Sequence, residues 1–113
     1  MPDSAPILRR LREILALSGD RVGKARRIAA AVRETGGFRW VGIYDVSADA
    51  IQVVAWSGPA LSTTRSEIVT PILGGMGAVV GLLDVESDVP HAFRAEDRAC
   101  LEACARLLSP LWA

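Results

Sequence analysis

Three acidic side chains fall on one predicted hairpin, and their types and spacing suit a site for a cation. The segment RSEIVTPILGGMGAVVGLLDVES reads as two apolar strands around a glycine-rich turn, with Glu67 on the first strand and Asp84 and Glu86 on the second. Because side chains alternate with period two along a strand, all three acids share one face. Neighbouring carboxyl groups can share a proton or hold a cation such as an ammonium group, so this face is the first candidate for function.

Counting outward from a turn at residues 74–77 predicts that Glu67 lies opposite Asp84 and that Arg65 lies opposite Glu86. Two carboxylates at ~5 Å and an effective dielectric constant of ~20 would repel by about 3 kcal/mol. Four sources of relief stay open: an ion pair with Arg65, a retained proton, a cationic ligand, or solvation of an open sheet end. The other face is predicted to be apolar and covered by helices, and its residues are Ile68, Ile72, Val79 and Leu83.

The preceding strand, FRWVGIYDV, adds aromatic residues to the same side. Phe38, Trp40 and Tyr44 alternate with Val41 and Ile43. If the aliphatic pair joins the helix-covered core, the aromatic rings face the acids and form an apolar wall with an anionic end. Such a wall suits a small zwitterion or amine through cation–π contacts and charge-assisted hydrogen bonds. The alternative is that the aromatic rings pack in a small second core.

The order of elements predicts how these strands are held. Helices are predicted over 5–17 and 20–36, strands over 38–46 and 51–57, the hairpin over 65–87, and a last helix over 95–108 that Pro110 ends. Hairpins flanked by helices predict an α+β fold, in which an antiparallel four-stranded sheet carries the N-terminal and C-terminal helices on one face. The other face is left open for a ligand.

Size and charge narrow the classes of function. The chain has 113 residues, half of them apolar, which predicts one domain with a real core. No apolar run reaches the ~20 residues that span a bilayer, and the start lacks a signal-peptide pattern, so we expect a cytoplasmic protein without a membrane partner. Residues 1–39 hold nine Lys and Arg against four Asp and Glu. Aromatic residues are not interleaved with these basic positions, so a nucleic-acid partner is not expected.

The two cysteines are predicted to be structural. Cys100 and Cys104 lie four residues apart on the last helix and share a face with Leu101, which should pack on the sheet. Together with His91 they make an incomplete metal site, because a fourth ligand is not evident. The sequence therefore predicts no metal, no cofactor and no catalytic residue.

Four blocks of the sequence resemble a known family. RWVGIYDV, SEIVTPIL, VVGLLDVESD and AFRAEDRACLE look like the successive blocks of a GAF domain, and most resemble those of the free methionine-(R)-sulfoxide reductases. The resemblance covers roughly residues 22–108, with one gap. It implies a GAF/PAS-like sheet with a small-molecule pocket on its uncovered face. It also implies that the residues at the ligand-binding positions are Trp40, Tyr44, Glu67, Asp84 and Glu86, the last in place of the usual Asp.

The chain departs from the reductase pattern between its second and third strands. The resemblance places the catalytic cysteines of the reductases there, whereas this chain has only GPALSTT at residues 58–64. Reduction of a sulfoxide by thiols needs an attacking thiolate and a resolving thiol. We therefore expect residues 1–113 to form a single truncated GAF-like domain without reductase activity and with a shallow site.

The predicted function is a minimal GAF-like module that binds a small zwitterionic or amine ligand, or acts in signalling, without catalytic cysteines. Two alternatives stay open. One is a scaffold that homodimerises through its terminal helices, using residues 5–34 and Trp112. The other is an enzyme like the free methionine-(R)-sulfoxide reductases.

Overall fold

In the computed structural model, which describes residues 4–113, two α-helices pack on one face of a four-stranded antiparallel sheet and a third packs against both of them. Residues 1–3 lie outside the described residues, although the predicted domain and its start segment include them. The elements are α1 (Ala5–Ala16), α2 (Arg21–Gly36), β1 (Trp40–Val46), β2 (Ile51–Ser57), β3 (Ser66–Leu73), β4 (Val79–Ser87), α3 (Ala95–Leu107) and a 3-10 helix (Ser109–Trp112). The predicted α+β fold is confirmed. None of the helices described here is long and apolar enough to cross a membrane.

The strands lie in the order β2-β1-β4-β3, so the two predicted hairpins are joined along their inner strands. β1 and β4 pair antiparallel, with Trp40 opposite Glu86 and Gly42 opposite Asp84. This central pairing has no local signal in the sequence. It is the contact that brings the aromatic strand beside the acidic strand.

Helix α2 begins and ends at the residues that its caps predict. The Asp20 side chain accepts a hydrogen bond of 2.6 Å from the backbone N–H of Gly23, which caps α2. Gly37 ends that helix in the left-handed region at φ 72°, where glycine carries no steric penalty. Helical spacing predicts that Val22, in the first turn of α2, shares the buried side of the helix with Ala25 and Ala29, but Val22 is 43% exposed.

The core lies between the helices and the covered face of the sheet. Val41 and Ile43 are fully buried there, as the strand alternation predicts. On the second hairpin, Ile68, Ile72 and Leu83 also face the helices, whereas Val79 is 44% exposed. The prediction for Val79 was wrong because a register irregularity between Ile72 and Leu73 turns this end of the hairpin away from the core.

The predicted register of the second hairpin was also wrong. Glu67 lies opposite Glu86, and Asp84 lies opposite Val69. The turn closes one residue further along the chain than predicted, because the N–H of Gly74 bonds the carbonyl of Ala78 at 2.8 Å, and the irregularity adds one more residue on β4. From Ser66 to Ile72 the net slip is two residues, so the side chains of this part of the hairpin keep their predicted face although their partners change. The expected pairing of Arg65 with Glu86 is lost in the same slip.

Leu111 and Trp112 contact residues of α2 and β1 through hydrogen bonds and a cation–π interaction. The Arg21 side chain donates from Nε to the carbonyl of Leu111 at 2.7 Å and pairs through its guanidinium with Asp45. The indole Nε1 of Trp112 donates to Asp45 Oδ1 at 2.7 Å, and the Arg21 guanidinium lies 4.9 Å from the centroid of the same ring. The Arg21 hydrogen bonds lower the pKa of Asp45. The Trp112 ring lies over Gly81, where a Cβ atom would meet ring carbon Cζ2 at 2.3 Å.

Candidate functional site

Two aromatic rings lie side by side on the uncovered face of β1. The centroids of the Trp40 and Tyr44 rings are 6.5 Å apart, and their planes are tilted by 47°. Gly42 lies between them and allows this packing, because a Cβ atom there would stand 2.4 Å from Trp40 Cη2 and 3.1 Å from Tyr44 Cε1. A glycine inside a strand often marks such a close approach. Both rings are partly exposed, so their faces are available to a ligand.

The three acids meet beside these rings. Asp84 projects from central strand β4 and is 5% exposed, whereas Glu86 is half-buried and Glu67 is exposed on edge strand β3. An oxygen from each carboxyl lies within 4.8 Å of the other two. The cluster is therefore deepest at its centre and open toward solvent at β3.

Burial of Asp84 sets the protonation of the cluster. Desolvation first, and then the neighbouring Glu86 and Glu67 carboxyls, hold the pKa of Asp84 well above its usual range. The pKa of Glu86 is lowered, chiefly by its hydrogen bond with Asp84 and then by Thr64, whose hydroxyl donates to Glu86 Oε1 at 2.6 Å. Asp84 is thus the acid that keeps its proton, and Glu86 is the one that stays charged.

One oxygen of the buried acid is left without a partner. Within residues 4–113, Asp84 Oδ1 is inaccessible to solvent and makes no hydrogen bond. A buried polar atom without a partner is costly, and such atoms are uncommon in native proteins. A ligand that donates a hydrogen bond at this point would relieve that cost.

Two hollows flank Tyr44 on the uncovered face. The first has a volume of about 280 Å³ and is lined by Trp40, Tyr44, Leu61, Thr64 and Glu86. The second has a volume of about 160 Å³ and is lined by Tyr44, Ile51, Glu67, Val69, Leu82 and Asp84. Together they are shallow and suit a small molecule with an apolar part and a cationic group. A separate hollow of about 420 Å³ lies between β3 and α3, away from the acids.

The structure brings together all five residues that the sequence singled out. The raised pKa of Tyr44, caused by burial and by the charges of the three acids, reflects that proximity. Their role in binding a ligand stays a prediction. Phe38 does not join them, because β1 begins at Trp40 and the Phe38 ring turns to the core, 6.0 Å from the ring of Phe93.

Sequence reasoning missed the contribution of the connection between β2 and β3. Leu61 and Thr64 of this connection line the first hollow, and Thr64 also orients Glu86. The available signal was one large aliphatic residue, Leu61, in a short turn-like segment. Ile51 and Val69 were missed as lining residues of the second hollow because single aliphatic residues in strands carry no functional signal.

The two cysteines lie on the other side of the sheet. Cys100 and Cys104 are buried on α3 within the hydrophobic core, as predicted, and both are free thiols. Burial raises the pKa of both thiols, which disfavours the thiolate. The sheet separates them from the acids on its uncovered face.

Solved structures with the same fold fall into two groups. The free methionine-R-sulfoxide reductase from Neisseria meningitidis, in complex with its substrate, is 23% identical with a TM-score of 0.80, over 99% of this chain and 92% of that chain. The GAF domain of phosphoenolpyruvate-protein phosphotransferase from Acinetobacter is 14% identical with a TM-score of 0.80, over 94% and 89% of the two chains. The type II free methionine-R-sulfoxide reductase from Thermoplasma acidophilum is 25% identical with a TM-score of 0.69, over 81% of this chain and 94% of that chain.

No family model matches the sequence, and no curated protein does. Nearly the whole chain nevertheless superposes on structures of both groups. The chain therefore has the GAF-like fold that GAF domains share with the free methionine-R-sulfoxide reductases.

Proposed function

We propose that this chain is a GAF-like module that binds a small molecule bearing an ammonium group on the uncovered face of its sheet, without thiol chemistry. The observation that carries the proposal is the buried Asp84 carboxyl with an unpartnered oxygen, held among two further acids and beside two tilted aromatic rings.

An ammonium group satisfies each part of this arrangement. Its N–H groups can donate to the charged Glu86 in short charge-assisted hydrogen bonds, and to Asp84 Oδ1 when the side chains that cover this atom move aside. Its charge can also lie against the faces of Trp40 and Tyr44, which attract cations through their ring quadrupoles. The apolar surface of Leu61 and Leu82 would contact the hydrocarbon part of the ligand.

A panel of small amines and amino acids, including methionine sulfoxide, tests the proposal by thermal shift and calorimetry. We expect at least one amine-bearing ligand to stabilise the protein, and Glu86→Gln or Trp40→Ala to abolish the effect. Glu102→Gln on α3 is the matched control, since it removes an exposed carboxylate on the other side of the sheet. No response from any ligand at millimolar concentration would contradict a binding role.

An activity like that of the free methionine-R-sulfoxide reductases is the rival function, because two of the similar structures bear that name. Such chemistry needs a thiolate that reaches the substrate. The only cysteines of this chain are Cys100 and Cys104, which are buried behind the sheet. We therefore expect no turnover of free methionine sulfoxide with a dithiol reductant. Turnover that a Cys100→Ser, Cys104→Ser double variant loses would refute this expectation.

A homodimerising scaffold is the second candidate. Leu17 and Val22 leave apolar surface at the junction of the terminal helices, with 46% and 43% of each residue exposed. Light scattering would give a dimer mass that Leu17→Glu reduces to a monomer. A monomer in the unchanged protein at high concentration would end this candidate.

A further inference from the structure

The lining of the two hollows is unbalanced in charge. Among the described residues that line them, three are acidic, namely Glu67, Asp84 and Glu86, and none is Lys, Arg or His. Arg65 adjoins β3, but within residues 4–113 it forms no ion pair with these acids at 4.0 Å or less. The site thus offers partners for positive charge and no side chain for negative charge.

The hydrogen-bond donors near the acids are few. Thr64 already donates its hydroxyl to Glu86. The other side-chain donors of the lining are the Trp40 indole N–H, the Tyr44 hydroxyl and the protonated Asp84 carboxyl, whose proton is shared with Glu86. A ligand carboxylate would therefore lie beside like charges without a cationic side chain to pair with, and like charges brought together disfavour binding. A free amino acid brings such a carboxylate with its ammonium group.

The hollows lie on two sides of one ring. Tyr44 belongs to both linings, with Glu86 in the first hollow and Glu67 and Asp84 in the second. Each hollow thus has its own acid, and aliphatic surface lies in both. A short alkane chain with an ammonium group at each end matches this pattern.

We propose that the ligand is a net cationic amine without a carboxylate, of the alkane diamine or polyamine class, which places its charged ends in the two acidic hollows beside Tyr44. This inference rests on the proposed function and narrows its ligand class. It distinguishes the site from one built for a free amino acid, whose carboxylate needs a cationic or N–H partner.

A matched ligand series tests this class. Putrescine, butylamine and γ-aminobutyrate share a short alkyl chain and one ammonium group, and they differ in whether the other end is cationic, neutral or anionic. Calorimetry should rank putrescine at least tenfold tighter than butylamine, with γ-aminobutyrate weakest. Glu67→Gln and Glu86→Gln should each weaken putrescine at least fivefold and reduce its salt dependence, whereas Glu102→Gln should leave it unchanged.

The outcomes separate this inference from the proposal on which it rests. If γ-aminobutyrate or methionine sulfoxide binds as tightly as putrescine, the diamine class is wrong and amine binding stands. If no amine binds, both fail. If Mg²⁺ or Ca²⁺ binds, Glu67→Gln abolishes that binding and putrescine gives no heat, the acids form a metal site and the diamine inference is overturned.

Discussion

Replacing Asp84 with asparagine should stabilise the protein, by an amount that grows as the pH rises. Asp84 is 5% exposed and its pKa is raised by burial and by two neighbouring carboxyls. The folded state therefore keeps a proton that the unfolded chain releases above its ordinary pKa of about 3.9. Stability linked to this group is fully present below that value and is lost as pH rises toward the raised pKa of the folded state.

The magnitude follows from proton linkage. While Asp84 stays protonated only in the folded state, each pH unit costs the unchanged protein up to about 1.4 kcal/mol. Between pH 5 and pH 7 the accumulated loss is about 2.7 kcal/mol, which is a large part of a typical stability of ~5–15 kcal/mol. Asparagine keeps the shape and an N–H donor toward Glu86 but cannot ionise, so the variant escapes this loss.

Both proteins are denatured with urea at pH 5, 6, 7 and 8, and unfolding is monitored by tryptophan fluorescence. The two curves give the difference in the free energy of unfolding at each pH. That difference should rise steadily in favour of Asp84→Asn. Glu102→Gln, which changes an exposed acid, should give a difference near zero at every pH. A difference that is constant with pH would refute the reasoning, because it would mean that Asp84 ionises in the folded state as it does in the unfolded chain.

Three further changes test the packing around the site and the core. Gly42→Ala should displace the Trp40 ring, which lies 2.4 Å from the new methyl group, and should weaken amine binding at least tenfold in calorimetry with the fold intact by circular dichroism. Gly81→Ala should destabilise the protein by about 2 kcal/mol or more in urea, because its methyl group would stand 2.3 Å from the Trp112 ring. Gly75→Ala, which meets nothing within 4 Å, should change stability by less than about 0.5 kcal/mol, and equal effects of the last two variants would contradict the packing described. The two thiols of α3 should react with a thiol reagent only as fast as the protein opens, so rapid labelling without denaturant would show that the core is not closed over them.

Which face most strand residues occupy was predictable from the sequence, because the alternation of side chains is a local property. Val79 is an exception, because it lies beyond the register irregularity of the second hairpin. Val41 and Ile43 had to be buried, and this placed Trp40 and Tyr44 on the opposite face. The same argument placed the acids, and it survived the wrong register because a slip of two residues preserves the face.

Partners across strands were not predictable in the same way. Glu67 lies opposite Glu86 because the turn and the β4 irregularity each add a residue, and neither has a distinctive sequence signal. The pairing of β1 with β4 joins segments that are distant in the chain, and hydrophobic alternation alone does not encode which inner strands meet. Thr64 was missed for a related reason, since its contact with Glu86 depends on the path of an irregular connection.

The antiparallel pairing of β1 with β4 should limit the rate at which the molecule folds and unfolds. Each hairpin is local in sequence and can form early, whereas their docking must wait for a long loop to close, which is the slower kind of event. The aromatic wall belongs to one hairpin and the acids to the other, so neither half alone presents the hollows. A small molecule bound across the β1–β4 pairing would contact both hairpins. It would slow the separation of the hairpins during unfolding more than it would speed their docking during folding.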